Sequence, residues 1–334
     1  MEHLADAIDR LAAETRFSGV VRVDRADEVV LARAYGLARR GAEVPATLEC
    51  RFGIASGTKG LTALTIASLL EQGQLELTTT ARSLLGRDLP LIDDHVTVEQ
   101  LLAHRSGIGD YLDEDAGHAI DEYVLSVPVH ELASTEAYLR VLDGHPVKAP
   151  PGERFTYNNS GYVVLALLAE RATGTSFYDL VGQHVCEPAG MRDTAFLRSD
   201  ELPARTAIGY LAADGCRSNV LHLPVRGSGD GGCYSTAADL HAFWQALFGG
   251  RIVSPEWVAE LVRPRSEVPR RSLRYGLGFW LHVGRPGVML EGSDAGVSFR
   301  SVHDPLKQVT HTVLSNTSMG AWPISRYVSE LFGC

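Results

Sequence analysis

Lysine is nearly missing from this chain. Of 31 basic residues in 334, only Lys59, Lys148 and Lys307 are lysines, and the other 28 are arginines. Arginine keeps its proton inside a protein, whereas a buried or crowded lysine can release one. Proton transfer by a basic aliphatic side chain is thereby confined to three positions. Cysteine is sparse too: Cys50, Cys186, Cys216, Cys233 and Cys334 are odd in number and lack metal-ligand spacing, so they read as reduced thiols. The longest aliphatic run, residues 163–169, is far too short to span a bilayer, and the first ten residues hold no apolar core of signal-peptide length. The chain is therefore expected to be cytoplasmic, with no membrane partner. Positive charge is also in deficit. A net charge of -10 argues against nucleic acid as a partner, and the basic stretch at residues 263–274 reads as a solvated loop. No internal repeat or low-complexity segment is present.

What remains is the composition of a globular protein, 45% hydrophobic and 22% charged, long enough to bury a sizeable core. Leu4, Ile8, Leu11 and Ala12 recur at helical spacing and predict an amphipathic helix over residues 3–15. Residues 19–23 and 29–35 are β-rich runs around a polar turn and predict a hairpin. A helical run from Gly60 ends near Gln72-Gly73. Shorter helices are predicted from Thr97, which has Gln100 three residues on, and over 134–142, 161–173 (stopped by Gly174) and 240–248 after a start at Thr236. Three strand-like runs, 275–283, 288–302 and 308–315, precede a last helix from Pro323 through Leu331. Strands at both ends with helices between them imply an α+β fold with an antiparallel sheet. The expected division is a discontinuous sheet domain, residues 1–75 with 207–334, and a helical domain, 76–206. A pocket is expected at their junction.

Ser56-Gly57-Thr58-Lys59 stands at that junction, between the extended-looking residues 51–54 and the helical run. A serine at a helix N-terminus sits where free N–H groups favour developing negative charge, and Lys59 returns to its face one turn later. A serine hydroxyl needs a base to act as a nucleophile, and an amine of lowered pKa can serve. A lone Ser-x-x-Lys is also what a helix cap beside a solvated lysine looks like. The second polar cluster, Pro150-Pro151-Gly152-Glu153-Arg154-Phe155-Thr156-Tyr157-Asn158-Asn159-Ser160-Gly161-Tyr162, makes a turn before a helix and can present a phenol and an amide. A tyrosine beside a lysine could take the serine proton and deliver it to a leaving group. Asp110, Asp113, Glu114 and Asp115 make the loop between His104 and Ser134 acidic, a candidate pocket wall or a solvated loop.

Ser56-x-x-Lys59 and Tyr157-x-Asn159, in this order and spacing, resemble the serine β-lactamase and penicillin-binding-protein superfamily. The nearest branch holds class C β-lactamases, D-alanyl-D-alanine carboxypeptidases, D-aminopeptidases and related esterases. Leu101-Leu102-Ala103-His104-Arg105-Ser106-Gly107-Ile108 and residues 231–240 resemble further segments, so the similarity covers nearly the whole chain. The resemblance implies Ser56 as the acylated nucleophile, with Lys59 and Tyr157 sharing acid and base work. It implies that Asn159 bonds the substrate or holds Lys59, that His104 belongs to the framework, and that no metal or organic cofactor is needed.

The chain departs from the family at the third box, usually Lys-Thr-Gly or His-x-Gly on a strand beside the nucleophile. Aligning Phe299-Arg300-Ser301 with the usual strand end places Ser293, Asp294 and Ala295 there. Gly296 would then offer the second oxyanion N–H, and Ser293, Asp294 and Gly296 join Asn159 as substrate-binding candidates. The usual cation is absent, which would cost a substrate carboxylate about 1.5–3 kcal/mol. Asp294 would attract an amine if it faced the pocket; it could equally cap a strand turn. The expected function is a serine hydrolase forming an acyl-enzyme on a small-molecule or short-peptide ester or amide, poor on β-lactams. An acyltransferase with the same intermediate and a catalytically silent binder are the alternatives.

Overall fold

The computed structural model describes residues 2–333 apart from 115, 116, 118, 119 and 121. An eight-stranded sheet forms its middle layer. In spatial order the strands are Glu28–Tyr35, Gly19–Arg25, Val309–Ser315, Val297–Asp304, Val288–Asp294, Trp280–His282, Leu273–Tyr275 and Ser266–Val268, with every neighbour antiparallel. Strands from early and late in the chain thus share one antiparallel sheet, as the α+β reading expects. The first hairpin closes at Ala26-Asp27, within the polar turn named above.

Two late runs differ from their sequence reading. Residues 288–302 are not one strand but a hairpin, with Ala295-Gly296 as its two-residue turn and Gly296 at φ +71°, a value that favours glycine. Likewise 275–283 is broken at Gly276-Leu277-Gly278, where Gly278 has φ +90°. Both runs are largely buried, Ser293 and Asp294 beside the first turn excepted, so no apolar-polar alternation marks the break.

Alternate residues of the sheet serve two layers. On one face Val21, Val23 and Val313 pack against Leu4, Ile8 and Ala12 of the Glu2–Thr15 helix and Ile324 and Val328 of the Ala321–Phe332 helix. On the other face the registers Val20↔Leu314, Leu314↔Phe299 and Phe299↔Gly292 make one row across four strands. That row supports the helix after Ser56, Thr58–Glu71, which is buried on all sides from Thr58 to Leu70. A helix apolar all round belongs in the centre of a large core. It also packs against the Asn159–Thr173 helix, whose residues 159–169 are buried. Phe299, fully buried in the row, contributes about 1.5–3 kcal/mol by its burial alone.

At the end of the row Gly57 sits directly on a ring, and Gly292 lets backbone meet backbone. A Cβ on Gly57 would enter the Phe299 ring, and one on Gly292 would stand 2.6 Å from the Ser56 nitrogen. The Thr97 helix begins with both hydrogen bonds of a capping box: Gln100 N–H donates to Thr97 Oγ1 at 3.3 Å, and Thr97 N–H to Gln100 Oε1 at 3.0 Å. Cys50, Cys186, Cys216 and Cys233 are free thiols, and Cys334 lies outside the described residues. Among the described residues no helix is long and apolar enough to cross a membrane.

Candidate active site

Ser56 lies in the short turn Ala55–Gly57 that leads into the Thr58–Glu71 helix. Ala55 has φ +44°, a left-handed conformation that is strained for a residue with a Cβ. Its neighbours hold it there. Thr58 Oγ1 donates to the Ala55 carbonyl at 2.7 Å and accepts from Cys233 N–H at 3.1 Å, while Ile54 N–H donates to the Cys233 carbonyl at 2.9 Å. The strand pair Phe52–Gly53 with Tyr234–Ser235 anchors the same turn. The serine therefore stands on a braced corner above the helix N-terminus, on the wall of a cavity of about 1020 Å³.

Lys59 is only 2% exposed. Its Nζ lies 2.9 Å from Ser56 Oγ, 2.7 Å from Asn159 Oδ1 and 2.8 Å from the Asp230 carbonyl. Asn159 cannot turn its amide over, because its Nδ2 donates to the Leu112 carbonyl at 2.8 Å. Two of the three partners of Lys59 are therefore pure acceptors. A neutral amine meets them with its two protons and aims its lone pair at Ser56 Oγ. Burial lowers the Lys59 pKa, while Asp230, Glu114, Asp110 and Asp294, in that order, oppose the shift.

Tyr157 completes the group. Lys59 Nζ is 4.9 Å from its ring centroid, and its hydroxyl interacts with Ser56. Burial pushes the phenol well above its ordinary pKa, so it stands as a proton donor rather than as a phenolate. Ser56, Lys59, Tyr157 and Asn159, candidates from two segments a hundred residues apart, thus meet at one point.

The loop carrying Tyr157 and Asn159 is held by residues with no obvious chemistry. His104, at φ +54°, accepts from Asn158 N–H on Nδ1 at 3.1 Å, and its carbonyl accepts from Thr156 N–H at 2.8 Å. Its ring is packed among Phe155, Tyr157, Tyr162 and Tyr275, and burial keeps it neutral. Asp110 is no solvated wall residue. Its carboxylate accepts from the N–H groups of Asn159, at 3.1 and 3.0 Å, and of Ser160, at 2.9 Å, at the start of the Asn159–Thr173 helix. Burial still raises its pKa to about 6. Asp113 pairs with Lys148 at 2.7 Å, and both Asp113 and Glu114 line the cavity. Asp115 lies outside the described residues.

Asp230 was not visible as a site residue in the sequence. Its carbonyl holds Lys59, and its buried carboxylate accepts from the Tyr111 hydroxyl at 2.6 Å. A contact through a main-chain carbonyl leaves no residue-type signal, and the adjacent Gly231-Gly232 was the nearest clue.

The third box needs correcting. The glycine against Ser56 is Gly292, whose added Cβ would collide with Ile54 O, Ser56 N and Ala55 Cβ. The strand positions matching the box are thus Leu290-Glu291-Gly292, three residues earlier than expected. Leu290, packed on Gly60, occupies the place of the cation. Gly296 is not an oxyanion donor: it lies off the cavity wall, and its N–H donates to Ser318 Oγ at 2.8 Å. Ser293 and Asp294 do line the cavity. In a two-residue hairpin the pair flanking the turn, here Asp294 and Val297, is hydrogen-bonded, and bonded pairs alternate with unbonded ones. The Ser293 N–H and C=O therefore point to the other edge of the strand. That edge is open, since Trp280–His282 pairs only with Met289 and Val288.

Asp294 faces the cavity, and its Oδ1 also accepts from Ala295 N–H at 2.9 Å, so both sequence readings of it hold in part. Burial, then Asp230 and Glu114, push its pKa up to about 7 against the pull of the Ala295 N–H and Lys59. Its negative charge in turn raises the Lys59 pKa. Asp294→Asn is expected to let Lys59 lose its proton more readily and to move the acid limb of any Lys59-dependent rate toward lower pH. A kcat/KM profile from pH 5 to 9 checks this, and a limb that moves upward or stays in place removes Asp294 from the circuit.

The sequence model of the Beta-lactamase family matches residues 4–323. In three dimensions the chain is similar to a penicillin binding protein from Bacillus halodurans, with a TM-score of 0.90 at 32% identity over 97% of this chain and 99% of that one. In sequence it is 27% identical over 281 residues to the putative penicillin-binding protein PbpX of Bacillus subtilis, covering 83% of this chain and 65% of that protein. It is 34% identical over 213 residues to the esterase EstB of Burkholderia gladioli, covering 61% and 53%. The chain thus spans between half and two-thirds of the length of these two relatives. With a match over nearly all of its residues, and with the fold of a penicillin-binding protein, the chain belongs to the beta-lactamase family.

Proposed function

We propose that this chain is a serine hydrolase that cleaves an ester or amide through an acyl-enzyme on Ser56. The observation that carries the reading is the placement of Lys59 Nζ on Ser56 Oγ, Asn159 Oδ1 and the Asp230 carbonyl together. Neutral Lys59 takes the Ser56 proton as Oγ attacks the substrate carbonyl. The N–H groups of Ser56 and Ser293 receive the oxyanion, both lying where Gly292 lets the strand touch the nucleophile turn. As the intermediate collapses, Tyr157 gives its proton to the leaving group and is resupplied from Lys59. Water then attacks the acyl-enzyme by the reverse route, and no metal or organic cofactor enters. An ester or amide substrate fits along the open edge of the Val288–Asp294 strand. Leu290 in place of a cation disfavours β-lactams, whose carboxylate lies close to the scissile bond. Asp294 favours a substrate with an amine.

A serine-directed fluorophosphonate should label the wild type at Ser56 and leave Ser56→Ala unlabelled. A panel of short-chain nitrophenyl esters, D-aminoacyl anilides and a chromogenic cephalosporin should show ester turnover well above cephalosporin turnover. No labelling at any pH from 6 to 9 rejects the acyl-enzyme, and the reverse substrate order rejects the reading of Leu290.

A further inference from the structure

The strand that carries Gly292 also carries a carboxylate gripped by two arginines. Glu291 accepts from Arg300 Nη2 at 2.8 Å and Nε at 3.2 Å on one oxygen, and from Arg271 Nη2 on the other. Register places Arg300 directly opposite Glu291 on the neighbouring strand. Arg271 arrives from the turn that joins the last two strands of the sheet. Each guanidinium lies over an indole: Arg271 Cζ is 4.4 Å from the Trp280 ring centroid and Arg300 Cζ 5.2 Å from that of Trp322. All five side chains line the active-site cavity.

Three features make this cluster more than a structural salt bridge. Two guanidiniums against one carboxylate leave one positive charge. Among the described residues, Nη1 of Arg300 and Nε and Nη1 of Arg271 take no other protein hydrogen bond, so a fork of donors remains. The indoles fix the planes of the arginines, which lowers the entropy lost when a ligand is bound. The Glu291 side chain is 9% exposed, so the carboxylate is consumed as a brace while the arginines, at 19% and 41%, remain open to the cavity.

The cluster is also placed relative to the chemistry. Tyr157 stacks on Trp280, with ring centroids 6.0 Å apart and planes 13° apart, and Arg271 lies on that same indole. Tyr157 is the donor to the leaving group in the reading above, and this inference rests on that reading. We propose that Arg271 and Arg300, braced by Glu291, form a subsite for a carboxylate carried on the leaving group, several bonds beyond the scissile one. The position beside the scissile bond, where Leu290 stands, offers an anion nothing. The cationic recognition in this cavity is displaced outward, past the Trp280 ring. Acids are thus disfavoured only near the reacting carbonyl.

The test compares acetyl esters of ω-hydroxyhexanoate and of its neutral carboxamide, which share the reacting bond and chain length. The wild type should turn over the acid with at least tenfold higher kcat/KM, mainly through KM, and the gap should shrink in molar salt. Arg271→Gln and Arg300→Gln should each bring the acid-to-amide ratio toward one, and Glu291→Gln, which frees a second positive charge, should raise it. A wild-type ratio near or below one, or a ratio unmoved in both arginine variants, overturns the proposal. Binding of free ω-hydroxyhexanoate tests the subsite without catalysis. It should perturb the fluorescence of Trp280 and Trp322 in the wild type and not in the double arginine variant, and absence of that signal in the wild type also overturns the proposal. Equal turnover of both esters defeats the subsite alone, whereas a wild type inert to both esters and to fluorophosphonate defeats the hydrolase reading.

Discussion

Lys59→Arg is expected to lower kcat/KM on a nitrophenyl ester by about 10²–10⁴-fold while fixing a positive charge at the same place. The size of the effect follows from what the amine does. Its two acceptor partners, Asn159 Oδ1 and the Asp230 carbonyl, can be met by the N–H groups of either side chain, but only lysine can present a lone pair to Ser56 Oγ. A guanidinium stays protonated at every usable pH, so the serine proton has nowhere to go. Lys59→Met should lose as much, because it removes the base without adding charge to a buried site. Measuring both variants separates proton transfer from electrostatics. A Lys59→Arg enzyme with a tenth of wild-type activity would show that the charge alone suffices and would move the base to Tyr157. Circular dichroism melts of each variant separate lost chemistry from lost folding.

The second large effect concerns a residue with no side chain. Gly292→Ala should cost about a hundredfold in kcat, since displacing a catalytic group by about 1 Å can have that effect. The new methyl would stand 2.6 Å from the Ser56 nitrogen and 3.0 Å from Ala55 Cβ, so the strand and the nucleophile turn must separate. Ala55 is already in a strained conformation, and the turn has little room to yield. Gly41, whose added Cβ meets nothing within 4 Å, is the matched control, and Gly41→Ala should leave turnover as it was. A Gly292→Ala enzyme of normal kcat would mean that the contact between strand and nucleophile turn does not govern the geometry of attack.

These two positions also mark where sequence reasoning reaches and where it stops. Ser56 and Lys59 are legible because the helix itself brings residues three apart onto one face, and because lysine is so scarce here. Tyr157 and Asn159 are legible because a proline-rich turn sets them just before a helix. The two glycines Gly292 and Gly296 look alike in the sequence, yet one serves close approach and the other a left-handed turn. Only the pairing of the strand with its neighbours tells them apart, and the misplaced third box follows from that ambiguity. The bracing role of Asp110 and the part played by Asp230 escaped for a different reason, while His104 reads as framework, the role its contacts give it. The two aspartates act by bonding backbone groups or through their own backbone, and such contacts carry no preference for residue type. The arginine pair on Glu291 depends on strand register, a long-range property that local pattern does not encode.

The sheet has a consequence for how the chain is made. Strand Gly19–Arg25 pairs with Val309–Ser315, and the Thr58–Glu71 helix rests on a row completed by Leu314, Phe299 and Gly292. A ribosome releases Ser56 and its apolar helix long before it releases those partners. Until then the helix has no floor, and its greasy surface is open to other nascent chains and to chaperones. Ser56 therefore cannot settle onto its floor before the Val288–Asp294, Val297–Asp304 and Val309–Ser315 strands have all been made.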